Sequence, residues 1–185
     1  MTNSVCLFGG TFNPVHNGHL ITGAFLLNKM DFKKIIFIPN YIPPHRKLPS
    51  VSAEERFEML RIALKDEKRM EDSDYEIRSG KKSYFINTVG HFKEKYNDLS
   101  MVIGTDQANS FRMWYRWKEY FDLLKILVIE KDEPLYETLD FEFVRTPRIE
   151  CSSTEIRDLL KNNRTVSGYL PESVIEYIYE KNLYT

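Results

Sequence analysis

Two short apolar runs, Val5 to Phe8 and Lys34 to Ile38, flank a stretch in which Leu20, Ile21, Ala24, Phe25 and Leu27 recur at helical spacing between Gly18 and Met30. The first run ends in Gly9-Gly10 and the second is stopped by Pro39, so each reads as a strand closed by a turn signal. Strand, loop, helix, strand is a βαβ unit. Its strands are continuously apolar rather than alternating, the pattern of strands covered on both faces. This opening confines the chain to parallel α/β architectures, because a parallel pair needs a crossover.

The remainder repeats the alternation. Ser52-Ala53-Glu54-Glu55 has capping-box spacing ahead of Phe57, Met59, Leu60 and Leu64, predicting a helix to about Lys65. Tyr75 to Arg78 is expected as a short strand, Ser83 to Tyr96 as a helix, Leu99 to Ile103 as a strand, Trp114 to Leu123 as a short helix and Leu124 to Ile129 as a buried strand. After Lys131 the pattern loosens through Asp140. Ser152 to Leu160 and Pro171 to Lys181 then read as closing helices, the second with proline in its first turn. Such alternation predicts a doubly wound parallel sheet with ligands at the strand carboxyl ends. A chain of 185 residues suits one domain, residues 1–185.

Composition removes several function classes. With 42% hydrophobic and 29% charged residues the chain is a folded one. A formal net charge of -1 gives no global positive field for nucleic acid, so any anion site must be local. No segment approaches the roughly 20 apolar residues of a membrane span, and Met1-Thr2-Asn3-Ser4 does not open a signal peptide. Cys6 and Cys151 have neither metal-ligand spacing nor a disulfide framework, which points to reduced thiols and a cytoplasmic location. A homo-oligomer stays open.

The densest chemistry lies in Gly9-Gly10-Thr11-Phe12-Asn13-Pro14-Val15-His16-Asn17-Gly18-His19, between the first strand and its helix. Two glycines let backbone approach a ligand closely. The helix that follows directs its first N–H groups and positive dipole end at the same crevice, an anion site. His16 and His19, at i and i+3, can lie on one side of the helix start as a phosphate clamp, with Gly18 removing a side chain between them. Hydrogen-bonded structural histidines are the plainer alternative, and zinc lacks a third ligand. Neither GxGxxG nor GxxxxGK[ST] is present, so ordinary dehydrogenase and P-loop readings fail.

These residues resemble the HxGH loop of the nucleotidyltransferase superfamily, and GGTFNPVHNGHL is similar to the signature of the nicotinate-nucleotide adenylyltransferase family. Further stretches agree in order: Pro43-Pro44-His45-Arg46, Ile103-Gly104-Thr105-Asp106, Trp114-Tyr115-Arg116-Trp117 and Cys151-Ser152-Ser153-Thr154-Glu155-Ile156-Arg157. Local readings compete with each: a Pro-stiffened surface loop for the first, a helix cap for Asp106, core packing for Trp117, a capping box for Ser152 and Glu155.

The resemblance implies a Rossmann-like nucleotidyltransferase fold that joins the AMP part of ATP to nicotinate mononucleotide, with Mg2+ accompanying ATP. It implies ATP contacts from Gly9, Gly10, Thr11, Phe12, His16, Gly18, His19, Gly104, Asp106, Ser152, Ser153, Thr154 and Arg157. Pyridine-nucleotide contacts are implied for Asn13, His45, Arg46, Tyr84, Phe85, Thr88, Trp114 and Tyr115, and catalytic roles for His16, His19, Arg46 and Arg157. Ser83-Tyr84-Phe85-Ile86-Asn87-Thr88 departs from the family's SYTxxT, with Phe85 where Thr is usual near the pyridine substituent. Losing that hydroxyl bears on preference for nicotinate over nicotinamide. Pantetheine-phosphate adenylyltransferase, which usually has Thr in place of the first His, and a binding module without turnover are the rival readings.

Overall fold

Along each strand, successive residues enter opposite apolar layers. In β1 (Val5–Gly10), Val5 and Leu7 join one layer and Cys6 and Phe8 the other; in β2 (Lys34–Pro39), Ile36 and Ile38 oppose Ile35 and Phe37. The same period-two division runs through β4 (Leu99–Gly104) and β5 (Lys125–Ile129), as a sheet covered by helices on both faces requires. The computed structural model describes residues 4–44, 48–129, 135–147 and 149–184. Two edge strands, β3 (Met70–Asp72) and β6 (Glu142–Val144), complete a six-stranded parallel sheet of order β3-β2-β1-β4-β5-β6.

One face carries α1 (Asn17–Lys29), α2 (Ala53–Leu64), α7 (Ser153–Lys161) and α8 (Glu172–Glu180), through Leu26, Met59, Leu60, Ile156, Leu160, Val174 and Ile178. The other carries α4 (Phe85–Lys93), α5 (Thr105–Asn109) and α6 (Tyr120–Leu123), through Ile86, Val89, Phe92, Ala108 and Tyr120. Among the described residues no helix is long and apolar enough to cross a membrane.

The chain winds outward from β1 to β3 and then returns to β4, so β1 and β4 form the switch point of the sheet. Their pairing stops at Leu7 and Met101, whereas β1 stays paired with β2 through Gly10 and β4 with β5 through Gly104. The two carboxyl ends therefore part, and a crevice opens between Gly9-Gly10 and Ile103-Gly104, the place where doubly wound folds bind ligands.

Three expected elements are different. Tyr75 to Arg78 is not a strand: α3 spans Tyr75–Ser79, because Glu76 turns inward to a buried partner, and the third strand is Met70–Asp72 instead. Trp114 to Leu123 is not one helix. Arg116 adopts a left-handed φ of 56°, which separates a 3-10 turn at Phe111–Met113 from one at Trp117–Glu119 leading into α6. Within the loosely patterned stretch before α7, Glu142–Val144 adds an edge strand with only Val144 buried, too short to show a period. Pro171 is the N-cap of α8, not a residue of its first turn.

Candidate active site

The floor of the crevice is Gly9-Gly10. A Cβ on Gly9 would lie 2.5 Å from Cε2 of Phe85, and one on Gly10 would lie 2.8 Å from Cζ of Phe12. Bare backbone thus lets two aromatic rings close on the strand end. Phe12 itself is buried, with a left-handed φ of 47°, and its ring meets His19 edge-on at 5.0 Å. Only its backbone remains for a ligand.

His16 is the N-cap of α1 in extended conformation, and its N–H donates to Nδ1 of His19 at 3.2 Å. That bond places the neutral His19 proton on Nε2. The two imidazoles stack at 3.7 Å and 26°, so the pair expected from i, i+3 spacing is brought together. Gly18 does remove a side chain between them, but what occupies the space is His16: a Cβ there would lie 2.9 Å from His16 Nδ1. The α1 terminus is less open than its position suggests. Asn17 N–H donates to Tyr169 O at 2.8 Å, Asn17 Nδ2 donates to Gly168 O at 2.8 Å, and Cys151 takes a hydrogen bond from the Gly18 backbone.

The closing segment braces this loop from behind. Ser152 caps α7, accepting from Glu155 N–H at 3.2 Å, which is the Ser152 half of the expected capping box. Ser153 donates to Pro14 O at 3.0 Å, and Arg157 donates to Asn13 O at 2.8 Å and to Thr154 Oγ1 at 3.2 Å. Among the described residues, these contacts engage two of the five guanidinium donors. Asn13 is buried and its Oδ1 accepts from the Tyr184 hydroxyl at 2.8 Å. On the β4 side, Gly104 N–H donates to Gln107 Oε1 at 3.2 Å and is the N-cap of α5. Asp106 is exposed in the first turn and is not the cap.

An aromatic wall packs on the other layer, with Phe85 against Gly9. Tyr84 and Tyr115 lie 4.8 Å apart, and Phe85 meets Trp114 edge-on at 6.5 Å. Tyr115 is 52% exposed, which leaves its face open to a planar ligand. Trp117 is half-buried, with Arg112 5.0 Å over its ring, and belongs to the outer side of this wall. His45 and Arg46 lie outside the described residues.

Thr88 departs from the expectation of ligand contact. It is 1% exposed and its hydroxyl donates to Glu76 Oε1 at 2.6 Å. Glu76 also takes a hydrogen bond from Ser83, whose Oγ accepts from Tyr41 N–H at 2.8 Å. This buried carboxyl seats the start of α4 and hence Tyr84 and Phe85. Burial pushes its pKa up, against the hydrogen bonds from Thr88 and Ser83. The folded chain then holds a proton that the unfolded chain has already released, so stability falls as pH rises from the ordinary glutamate range through the folded-state value. Glu76→Gln removes that dependence. Its melting temperature relative to wild type is expected to climb by on the order of 3 °C between pH 4 and 7; a constant difference in calorimetric scans contradicts the assignment.

Two residues absent from the sequence-based site, Arg56 and Asn40, join the loops after β1 and β2. Asn40 Nδ2 donates to Thr11 Oγ1 at 3.0 Å, and Arg56 reaches Thr11 O at 2.6 Å. The available signal was a cation on the apolar stripe of α2, between Ala53 and Leu60.

A Cytidylyltransferase-like family profile matches residues 7–159. A protein of Caldicellulosiruptor saccharolyticus, named as a probable nicotinate-nucleotide adenylyltransferase, is 34% identical over 97% of this chain and 98% of its own length. One of Methylacidiphilum infernorum with the same name is 36% identical over 97% and 91%. The chain belongs to the nicotinate-nucleotide adenylyltransferase family. Its fold is also that of the Plasmodium falciparum nicotinic acid mononucleotide adenylyltransferase complexed with NaAD, at a TM-score of 0.73, 16% identity and 99% and 98% coverage. Within the family pattern, the Phe85 departure is a physical one, since its ring covers the Gly9 backbone.

Proposed function

We propose that this chain transfers the adenylyl group of ATP to nicotinate mononucleotide, forming nicotinic acid adenine dinucleotide and pyrophosphate. The observation that carries this reading is that a stacked histidine pair, packed on Phe8 and Phe12 of one layer, and an aromatic wall, packed on the other layer with Phe85 over Gly9, come together at the carboxyl end of β1. The histidine side suits phosphates and the aromatic side suits a pyridinium ring, for which stacking and cation–π attraction contribute about 1–2 kcal/mol when desolvated.

In this reaction a 5′-phosphate oxygen of the mononucleotide attacks the α-phosphorus of ATP, and the bond from that phosphorus to the pyrophosphate oxygen breaks. A phosphate monoester has a second pKa of about 6, so the nucleophile is already a dianion at neutral pH and needs no general base. The protein's part is alignment, together with donors directed at the α-phosphate as charge shifts. His19 Nε2–H, His16 and Arg157 fill that role in our reading, together with Arg46, which follows β2 in the sequence. Gly9 and Gly10 admit the phosphates to the strand end, and Asp106 with Gly104 suits the ribose.

Among the described residues no three His, Cys, Asp or Glu side chains converge on one point. Mg2+ would accompany ATP, where it would offset charge on the β and γ phosphates. The reading is tested by pyrophosphate release from Mg-ATP with nicotinate mononucleotide, nicotinamide mononucleotide or phosphopantetheine as acceptor. At least a 10-fold preference in kcat/KM for the nicotinate compound is expected. Equal use of both pyridine nucleotides would make the chain dual-specific, the outcome that loss of the hydroxyl at position 85 would favour. No turnover with any acceptor overturns the proposal.

A further inference from the structure

Arg56 is among the largest fully buried side chains of the described residues, 1% exposed, on the stripe of α2 that also buries Ala53, Met59, Leu60 and Leu64. Its guanidinium bridges two loops. Nη1 donates to Thr11 O at 2.6 Å and Nη2 to Asn40 O at 2.7 Å, with longer approaches to Asn40 Oδ1 and Tyr41 O, both at 3.4 Å. Asn40 adds its own ties, from Nδ2 to Thr11 Oγ1 at 3.0 Å and from its N–H to Gly10 O at 2.9 Å. Gly10-Thr11 is the floor of the crevice. Asn40-Tyr41 begins the segment that leads through Pro43-Pro44 toward Arg46, and its other side is held by Ser83, beneath the aromatic wall.

Every acceptor of Arg56 is neutral, and among the described residues no carboxylate pairs with it. Nε has no hydrogen-bond partner among them either. Glu54 and the Tyr184 phenol are the ionisable groups that act on it through space, and burial still holds its pKa below the usual arginine value. An unpaired buried cation is costly, and an apolar residue would fill the same volume at lower cost. What an arginine alone supplies is a rigid planar fork that spans two carbonyls.

We propose that Arg56 is a positioning residue for adenylyl transfer. It sets the spacing between the Gly10-Thr11 loop at the crevice floor and the Asn40-Tyr41 loop. This inference rests on the adenylyl-transfer reading above.

The test compares wild type, R56K, R56M and N40A by melting temperature, by calorimetric Kd for ATP and for nicotinate mononucleotide separately, and by kcat and KM. R56K keeps the charge and loses the fork. Its kcat is expected to fall about 10-fold or more while each Kd stays within about 3-fold, because misplacement by about 1 Å acts on the transfer step rather than on either ligand alone. R56M removes the bridge altogether, so its kcat drops further. N40A, which keeps Arg56 and the fold, should show a smaller kcat loss in the same direction; this keeps the proposal falsifiable if R56M does not fold. A kcat in R56K and N40A that tracks only the folded fraction, with wild-type turnover once folding is corrected for, overturns the proposal. Absence of turnover in the wild type defeats the adenylyl-transfer reading instead.

Discussion

His19→Ala is expected to lower kcat by about 10²–10³-fold while leaving the Kd for ATP within a few-fold. The reason is the geometry of the helix start. Nδ1 of His19 accepts the His16 N–H at 3.2 Å, so the neutral ring presents its proton on Nε2. A donor held in advance is worth most where negative charge grows, and that is the transition state. The ring has a second job, because it completes the cap of α1 and packs on Phe12 at 5.0 Å. His19→Asn separates the two: Oδ1 of Asn can take over the cap from Nδ1, yet nothing replaces Nε2–H. Steady-state kinetics should find His19→Asn as impaired as His19→Ala. If His19→Asn restores turnover, the ring matters for the helix start alone; if ATP affinity collapses in both while kcat is unchanged, the catalytic role is refuted.

Gly18→Ala should lower kcat by about 10- to 100-fold and leave the melting temperature nearly unchanged. The added Cβ would sit 2.9 Å from His16 Nδ1 and 3.4 Å from Cys151 Cβ, and His16 is 6% exposed and stacked on His19. The ring cannot rotate into solvent without breaking that stack, so the pair shifts together, and a displacement approaching 1 Å can cost about 100-fold in rate. Alanine meanwhile favours helix over glycine by about 1 kcal/mol, which offsets the crowding in overall stability. Calorimetry and kinetics on the same sample decide it: a large loss of stability with normal kcat per folded molecule would show that Gly18 serves packing instead.

Much of the architecture was legible because it is local. Largely apolar runs of four to six residues, ended by glycine or proline in β1, β2 and β4, mark strands buried on both faces, and β1, β2, β4 and β5 lie within a residue or two of the expected positions. The helices α1, α2 and α7 were legible for the same reason, from spacing and from Ser52 and Ser152 as caps. Edge strands are not local in this sense. Met70–Asp72 buries one residue and Glu142–Val144 buries one, so neither leaves a period to read, and each exists because a neighbouring strand offers unpaired backbone. Tyr75 to Arg78 mimics an alternating strand, and only the pocket that receives Glu76 makes it helical.

The site divides along the same line. The sequence by itself determined the chemical inventory: a glycine strand end, two imidazoles one helical turn apart, hydroxyls and an arginine opening a late helix, and an aromatic cluster. Those follow from residue type and short spacing. Only the tertiary structure decided which of them face one another. It stacks His16 on His19 and lays Phe85 over Gly9, but commits the side chains of Asn13 and Thr88 to Tyr184 and Glu76. It also brings Arg56, 45 positions from Thr11 in the chain, to within 2.6 Å of it. Contacts between distant segments are set by how the helices pack on the sheet and by which buried polar groups must find partners there, and no periodicity in one dimension encodes that requirement.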